Sequence, residues 1–551
     1  MKSQKPWIDK YDPDVPGSLD YPKINIQDLL FYQASNYPDR IALLCGEFSI
    51  SYRNLVSISR QFAQNLVYLG LNPGQCVGIC LPNIPQFVIA FLGTLLAGGV
   101  VSAMNPAYTP RELEFKAGMT CPQFLVGLTP NRTALEIIAK NKKIQKLILT
   151  DLVDLSDPNK KNELSNCVID FSTMTYPGSK EITLPKINPD QPAVYQFSGG
   201  TTGIPKAAVI LHKNLVANVL QFRKWMPSMK DGQEVFLTVI PLYHVYGMVL
   251  GLNFGLAIGA TIILAPDAAD LTGILDLIPK NLVSFFPGVP NLYRAINKIF
   301  PSLEPKIDFR SLKACISGSA PLLNTDRVQF IKLTGARLVE GYGLSEAPTA
   351  THCNPFQGEN REGSIGLPLP DVDCKIVDIE DYEREVPLGN SGELIICGPQ
   401  IMKEYLNQTQ ETGSTLRNGW LFTGDIARMD RDGYFYIIGR KKELIKVNGL
   451  QVWPLEVEEA IFHHPKVKEV AVAGVQDSTT GERVKAWLVL KESGSIDLFE
   501  VQRFCRDSLV AYKIPSEIEI IDSLPRSAIG KILRRELVEL HNNRLIKNQG
   551  A

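Results

Sequence analysis

The 551-residue chain lacks an excess of either charge: 57 Lys and Arg stand against 58 Asp and Glu, a formal net charge of -1. A protein that grips a nucleic-acid backbone is usually basic, so this balance excludes that broad class while leaving room for a local cationic site. Cysteine is sparse, with ten residues scattered from Cys45 to Cys505. Cys76 and Cys80 are the closest pair, and no second pair stands at zinc-ligand spacing. The six histidines form no metal box either; His463 and His464 are adjacent, without the i, i+4 spacing. The thiols read as reduced and mostly buried, in a cytoplasmic protein. The polar, proline-bearing start (MKSQKPWIDKYDPDVPG) has no apolar signal-peptide core.

Two long stretches lack charge altogether. Gln61–Pro110 and Val235–Pro266 contain no Asp, Glu, Lys or Arg. Phe87–Met104 approaches the length of a short membrane span, but Gly93, Gly98 and Gly99 interrupt it, and Pro82, Pro85 and Pro106 flank it. The expected reading is strand (Cys76–Leu81), buried helix (Gln86–Ala97), strand (Val100–Ala103), with no transmembrane span. No polybasic amphipathic helix stands out as an anchor. Peripheral membrane association and oligomeric state are left open by the sequence.

What is present is an alternation of strand-like and helix-like runs through the first 350 residues, among them Lys146–Thr150, Val194–Ser198, Val235–Ile240 and Thr261–Leu264. That pattern predicts parallel sheets flanked by helices, an α/β fold. From Gly363 short strands (Cys374–Val377, Glu393–Cys397, Tyr434–Ile438) alternate with Gly, Pro and Asp turns, predicting a small antiparallel β-barrel-like subdomain over 363–440. After the charged cluster at Arg440 the texture is mixed: Val467–Val475, Val484–Leu490 and a last helix from Lys531 to His541. The expected domains are 1–440, with its α/β part ending near 362, and an α+β domain over 441–551, a normal domain size.

Tyr195–Ala208 (YQFSGGTTGIPKAA) concentrates the chemistry. Glycines let a backbone approach an anion and turn its N–H groups inward. Ser198, Thr201 and Thr202 add hydroxyls, and Lys206 adds charge. With Gly199, Gly200 and Gly203 this is a phosphate cradle. It is not a Walker A loop, because two residues separate Gly203 from Lys206 and Ala207 follows the lysine.

SGGTTGIPK resembles the phosphate loop of the adenylate-forming enzymes, which include acyl-CoA synthetases, peptide-synthetase adenylation domains and luciferases. Gly199 stands where Ser or Thr is usual, as in bacterial long-chain fatty acid–CoA ligases, and Ala207 stands where Gly is usual. Other stretches match in order. Pro241–Gly247 (PLYHVYG) resembles the segment whose histidine, here His244, sits between the acyl carboxylate and the thiol path. Ser317–Leu322 (SGSAPL) resembles the edge that reads adenine, implicating Ser317, Gly318, Ser319, Ala320 and Pro321. Glu340–Glu346 (EGYGLSE) resembles the next motif, with Glu340, Gly341 and Gly343 framing it, Tyr342 stacking on adenine and Ser345 touching phosphate. The resemblance implies Mg²⁺ on Glu346, with Thr202 as a second ligand; a hard cation favours such oxygens. Trp420–Asp425 (WLFTGD) resembles the ribose motif. A carboxylate can accept from both hydroxyls of a diol, which suits Asp425, and Arg440 supplies a further contact.

The resemblance further implies two reactions in one site: acid plus ATP gives acyl-AMP and pyrophosphate, then a CoA thiol gives the thioester and AMP. The C-terminal domain would rotate between them about Lys442. PRSAIGKIL (Pro525–Leu533) resembles the motif that delivers the adenylation lysine, here Lys531. Lys531, Arg534 and Arg535 also crowd the expected first turn of the last helix, where cations are unfavourable, so an external anion is expected there. Lys446 and Gln451 match positions that serve the thioester step. No cysteine lies in a matched motif, and covalent catalysis is not expected.

NPAYTPREL, GSIGLP and GRKKELI resemble stretches of long-chain fatty acid–CoA ligases, so the expected substrates are a long-chain fatty acid, ATP and CoA. Each pocketed methylene contributes about 0.8 kcal/mol, enough for a long tail to supply most of the binding. A medium-chain or aryl acid, or an acceptor other than CoA, is the alternative. The apolar run SFFPGVPNLY (Ser284–Tyr293) suits a tail pocket and a core equally.

Overall fold

The computed structural model describes residues 5–152, 167–176, 182–198, 205–303, 307–477, 479–491, 494–527 and 530–549. The chain forms two compact units. One holds the residues up to Asp373 together with Cys397–Leu421; the other holds Cys374–Ile396 and the residues from Phe422 onward.

The first unit is built on two mainly parallel sheets. In one, five strands run parallel through Leu338–Leu344, Ala314–Ser317, Phe285–Gly288, Val235–Thr238 and Thr261–Leu264, and the last pairs in parallel with Ile41–Cys45. In the other, Val168–Asp170, Lys146–Thr150, Phe124–Leu128, Cys76–Cys80, Val100–Ala103 and Pro192–Ser198 run parallel, and Lys206–Leu211 turns back antiparallel. Strands covered on both faces need apolar residues at every position. That accounts for the uncharged stretches: all of Cys76–Cys80, Val100–Ala103 and the helix Pro85–Leu96 is buried. Pro85 opens that helix, where a missing N–H costs nothing. Among the described residues no helix is long and apolar enough to cross a membrane.

The aromatic residues of the Ser284–Tyr293 run pack inside the first unit. Phe285, Phe286 and Tyr293 are fully buried, and the Tyr293 hydroxyl donates to the carbonyls of Phe286 (2.8 Å) and Ile316 (3.0 Å).

Two five-stranded sheets have most of their strands in the second unit. In one, Trp420–Met429 pairs antiparallel with Phe435–Arg440. In the other, Val467–Asp477 and Gly481–Leu490 form a long antiparallel ribbon, extended by Ile445–Val447, Leu450–Val452 and, in parallel, Glu517–Ile520.

The last helix runs Arg534–Gln549, not from Lys531. Lys531 therefore precedes the first turn, in a loop where its N–H donates to Ser527 Oγ (3.2 Å) and its carbonyl accepts from Ser527 N–H (2.8 Å). The expected external anion is not what balances Arg534. Its guanidinium donates to Glu458 (2.8–3.1 Å) and Glu443 (3.0 Å), and Arg535 pairs with Glu539 one turn on (2.7 Å).

Candidate active site

In the first unit, Ser198 and Lys206 are cross-strand partners in an antiparallel pair. Gly199, Gly200, Thr201, Thr202 and Gly203 lie outside the described residues. Lys206 is buried at the strand start. Its ammonium pairs with Glu411 and stands 4.9 Å from the centroid of the Tyr405 ring. Tyr405 donates its hydroxyl to Glu346 Oε1 (2.7 Å). Glu346 and Ser345 form the turn between Leu338–Leu344 and Ala347–Cys353, and Ser345 Oγ donates to the Phe197 carbonyl (3.5 Å). The structure thus brings Ser198, Lys206, Ser345 and Glu346 to one region. Gly343 is obligatory here: a Cβ would come within 1.7 Å of the Thr349 carbonyl oxygen. Tyr342 faces His352 across the pair, ring centroids 5.8 Å apart.

Glu340 ends the straight part of its strand and is buried. Its Oε1 accepts from Leu322 N–H (3.3 Å), which ties down the loop through Gly318, Ser319, Ala320 and Pro321. Burial pushes its carboxyl up to about 8, so it is protonated at neutral pH. The same loop starts at Ser317, which is fully buried, and passes Ser319 at φ 73°.

His244 sits just before a fully buried π-helical segment, Gly247–Asn253. Burial drives its pKa down to about 4, which keeps the imidazole neutral. Nδ1 accepts from Tyr246 N–H (3.3 Å), so the proton resides on Nε2. Asn83 holds this segment in place. Its amide donates to the Thr238 (3.1 Å) and Ile240 (3.0 Å) carbonyls and accepts from Leu242 N–H (2.8 Å). The Tyr246 hydroxyl reaches the Gly288 and Ile316 carbonyls, at 3.2 and 3.0 Å.

In the second unit, Asp425 and Arg440 are register partners, with Nε 2.9 Å from Oδ1. The turn before Asp425 is fixed by Thr423 Oγ, which donates to the Leu394 carbonyl (2.7 Å) and accepts from Asp425 N–H (3.0 Å). Lys531 feels both charges. Burial, then the field of Arg440, lowers its pKa to about 8, partly offset by Glu443 and Asp425. Its ammonium has no ion-pair partner among the described residues. Lys446 and Gln451 are paired across a hairpin whose turn, Asn448–Gly449, has φ 51° and 80°, the conformation Asn-Gly favours. Both side chains are exposed. Lys442 lies in the short 3₁₀ turn Lys441–Glu443 between the two sheets' strands.

Residues 30–406 match the AMP-binding enzyme family, and residues 456–531 match the AMP-binding enzyme C-terminal domain. The chain belongs to the AMP-binding enzyme family. It is 38% identical to a long-chain-fatty-acid–CoA ligase of Bacillus subtilis, over 98% of each chain. It is 34% identical to one of Escherichia coli O6:H1, over 97% of this chain and 98% of that one. Among solved structures it is similar to ATP-bound MatB from Rhodopseudomonas palustris. That match has a TM-score of 0.84 at 28% identity, covering 94% of this chain and 99% of that one.

Sequence reasoning missed several residues at this family's candidate site. Tyr405 and Glu411 reach Lys206 and Glu346 from far along the chain, and nothing local signals it. Asn83 carried a signal: it is a polar residue between two prolines inside an uncharged stretch, and it is buried.

Proposed function

We propose that this AMP-binding enzyme is an ATP-dependent long-chain fatty acid–CoA ligase. The observation that carries the reading is its likeness, over nearly the whole of each chain, to ligases of that name. A carboxylate oxygen of the acid attacks the α-phosphorus of ATP, the bond to the β-phosphate oxygen breaks, and pyrophosphate leaves. The CoA sulfur then attacks the acyl carbon, AMP leaves, and the thiol proton is released. The reaction takes place in the cytoplasm.

In this reading Ser198, the 199–203 segment, Lys206 and Ser345 bind the phosphates. The loop at Ser317–Pro321 and the strand Glu340–Gly343 hold adenine, and Asp425 and Arg440 hold the ribose. Lys531 offsets charge building on the attacking carboxylate and the phosphorus, a positioning and electrostatic role. Its ammonium, half-buried and without an ion-pair partner among the described residues, suits an anionic ligand. His244, neutral with its proton on Nε2, acts as a hydrogen-bond donor to the acyl oxygen rather than as a base. Lys446 and Gln451 serve the thioester step, after rotation of a domain beginning near residue 441 about Lys442.

Among the described residues no group of three His, Cys, Asp or Glu could hold a metal. Mg²⁺ is ordinarily bound through one or two carboxylates plus phosphate oxygens, and Glu346, bonded by Tyr405 through one oxygen, fits that pattern with Thr202. When bound, Mg²⁺ would neutralise phosphate charge. The test is purified protein with ATP, Mg²⁺, CoA and palmitate. AMP and palmitoyl-CoA are expected in equal amounts, and the absence of both would refute the reading.

A further inference from the structure

The helix His212–Trp225 turns a polar stripe inward. Asn214, Asn218, Gln221 and Trp225 share one face of it, each three or four residues after the last. All are buried, Asn218 and Gln221 completely. An apolar stripe is the ordinary choice there, because a buried amide costs stability unless it is hydrogen-bonded. Here each side chain donates to a backbone carbonyl far along the chain: Asn214 to Pro399 (2.8 Å), Asn218 to Ala350 (2.8 Å), Gln221 to Pro370 (2.7 Å) and Trp225 to Asn354 (3.4 Å).

Two of these side chains converge on Glu346. Asn218 brackets the strand that leaves the Glu346 turn. Besides donating to Ala350, its Oδ1 accepts from the N–H groups of Thr349 (2.6 Å) and Ala350 (3.4 Å). Thr349 bears in turn on the strand that enters the turn, since its carbonyl oxygen occupies the space a Gly343 side chain would need. Gln221 donates to Gln400 Oε1 (3.3 Å). Two residues further on, Met402 N–H donates to the Glu346 carbonyl (2.8 Å), and Tyr405 holds the Glu346 carboxylate (2.7 Å). Asn218 Nδ2 also donates to Gln221 Oε1 (3.0 Å), so the two amides form one hydrogen-bonded chain. The backbone around Glu346 and the segment that grips its side chain both trace back to one turn of this helix.

We propose that Asn218 and Gln221 are positioning residues for Glu346, fixing where its carboxylate meets the ATP phosphates and their cation. The assignment rests on the ATP-dependent reading above. The two amides act through Glu346 rather than on the reacting atoms. A carboxylate already held in place loses little freedom when its ligand arrives, whereas a loosened one must be ordered at that moment.

The test measures equilibrium binding of ATP with and without Mg²⁺, and of AMP without it. The proteins are the wild type, Asn218→Ala, Gln221→Met, Glu346→Gln and the double variant Asn218→Ala/Glu346→Gln. Mg²⁺ should tighten ATP in the wild type, and this gain should fall about tenfold in Asn218→Ala, the scale of one charge-assisted contact. Gln221→Met should lose part of the same gain. It keeps the shape of the side chain and leaves the Thr349 bond intact, so it carries the test should Asn218→Ala not fold. Glu346→Gln should lose the gain, and the double variant should lose no more, because Asn218 then has no carboxylate to position. AMP should bind all of them as it binds the wild type.

Additive losses in the double variant would overturn the proposal. So would a Mg²⁺ gain left intact in Asn218→Ala and Gln221→Met, or in Glu346→Gln. Equal weakening of ATP and AMP would reduce the two amides to structural residues. A wild type that consumes ATP while the losses add defeats only the positioning assignment. A wild type that consumes no ATP with any acid defeats the ligase reading itself.

Discussion

The Arg440 guanidinium Nε lies 2.9 Å from Asp425 Oδ1, across two strands whose register makes the residues direct partners. Asp425 is almost fully buried, at 3% exposed. Its carboxylate is thus held in place before any diol arrives, and little is lost in ordering it. If it holds the ribose, Asp425→Ala should weaken ATP at least tenfold, the scale of charge-assisted hydrogen bonds. An ATP analogue lacking both ribose hydroxyls should bind wild type and variant alike. Equal losses for both nucleotides, measured by titration, would remove Asp425 from the ribose site.

Lys531 is charged below its pKa of about 8 and loses its proton above it. Its role requires the ammonium, so kcat/KM for acyl-AMP formation should decline as pH rises through about 8. Lys531→Ala should depress that half-reaction and abolish this limb of the profile, while thioester formation from supplied acyl-AMP survives. Equal loss of both half-reactions would contradict the assignment.

Glu340 makes an opposite kind of prediction, one of stability. Its folded pKa is raised from the ordinary 4.5 to about 8. Between those values the folded chain keeps a proton that the unfolded chain has released, so stability falls as pH rises from 4.5 to about 8 and levels off above. Glu340→Gln, neutral throughout, should lack this slope. Chemical denaturation at several pH values checks it, and parallel curves would contradict it.

Arg534 is bound by Glu458 and Glu443, and Glu458 also accepts from Val472 N–H (2.7 Å). Removing one partner of a buried pair typically costs about 3–5 kcal/mol. Arg534→Met should therefore destabilise the second unit, and a compensating Glu458→Leu should restore much of the loss. Failure of the double variant to recover in denaturant titrations would show that the pair is not the cause.

The α/β architecture was legible because its strands are buried on both faces and the sequence marks them as uninterrupted apolar runs. Cys76–Cys80, Lys146–Thr150 and Thr261–Leu264 fall where the pattern placed them to within a residue. The order of the motifs was legible as well, since each is a local string. What was not legible is non-local. Arg534 looked like a helix-start cation in need of an external anion because Glu443 and Glu458 lie 91 and 76 residues away. Glu411 on Lys206 is likewise fixed by tertiary packing, which no window of sequence displays. The Ser284–Tyr293 run suited pocket and core alike, and the burial of Phe285, Phe286 and Tyr293 is common to both.

The most direct test of the whole account is AMP release against a panel of acids, from acetate to oleate with cinnamates and benzoates, each with and without CoA. The account predicts CoA-dependent turnover that climbs with chain length, because each buried methylene adds about 0.8 kcal/mol. A flat profile, or one centred on the aryl acids, would contradict the assignment of a long-chain substrate.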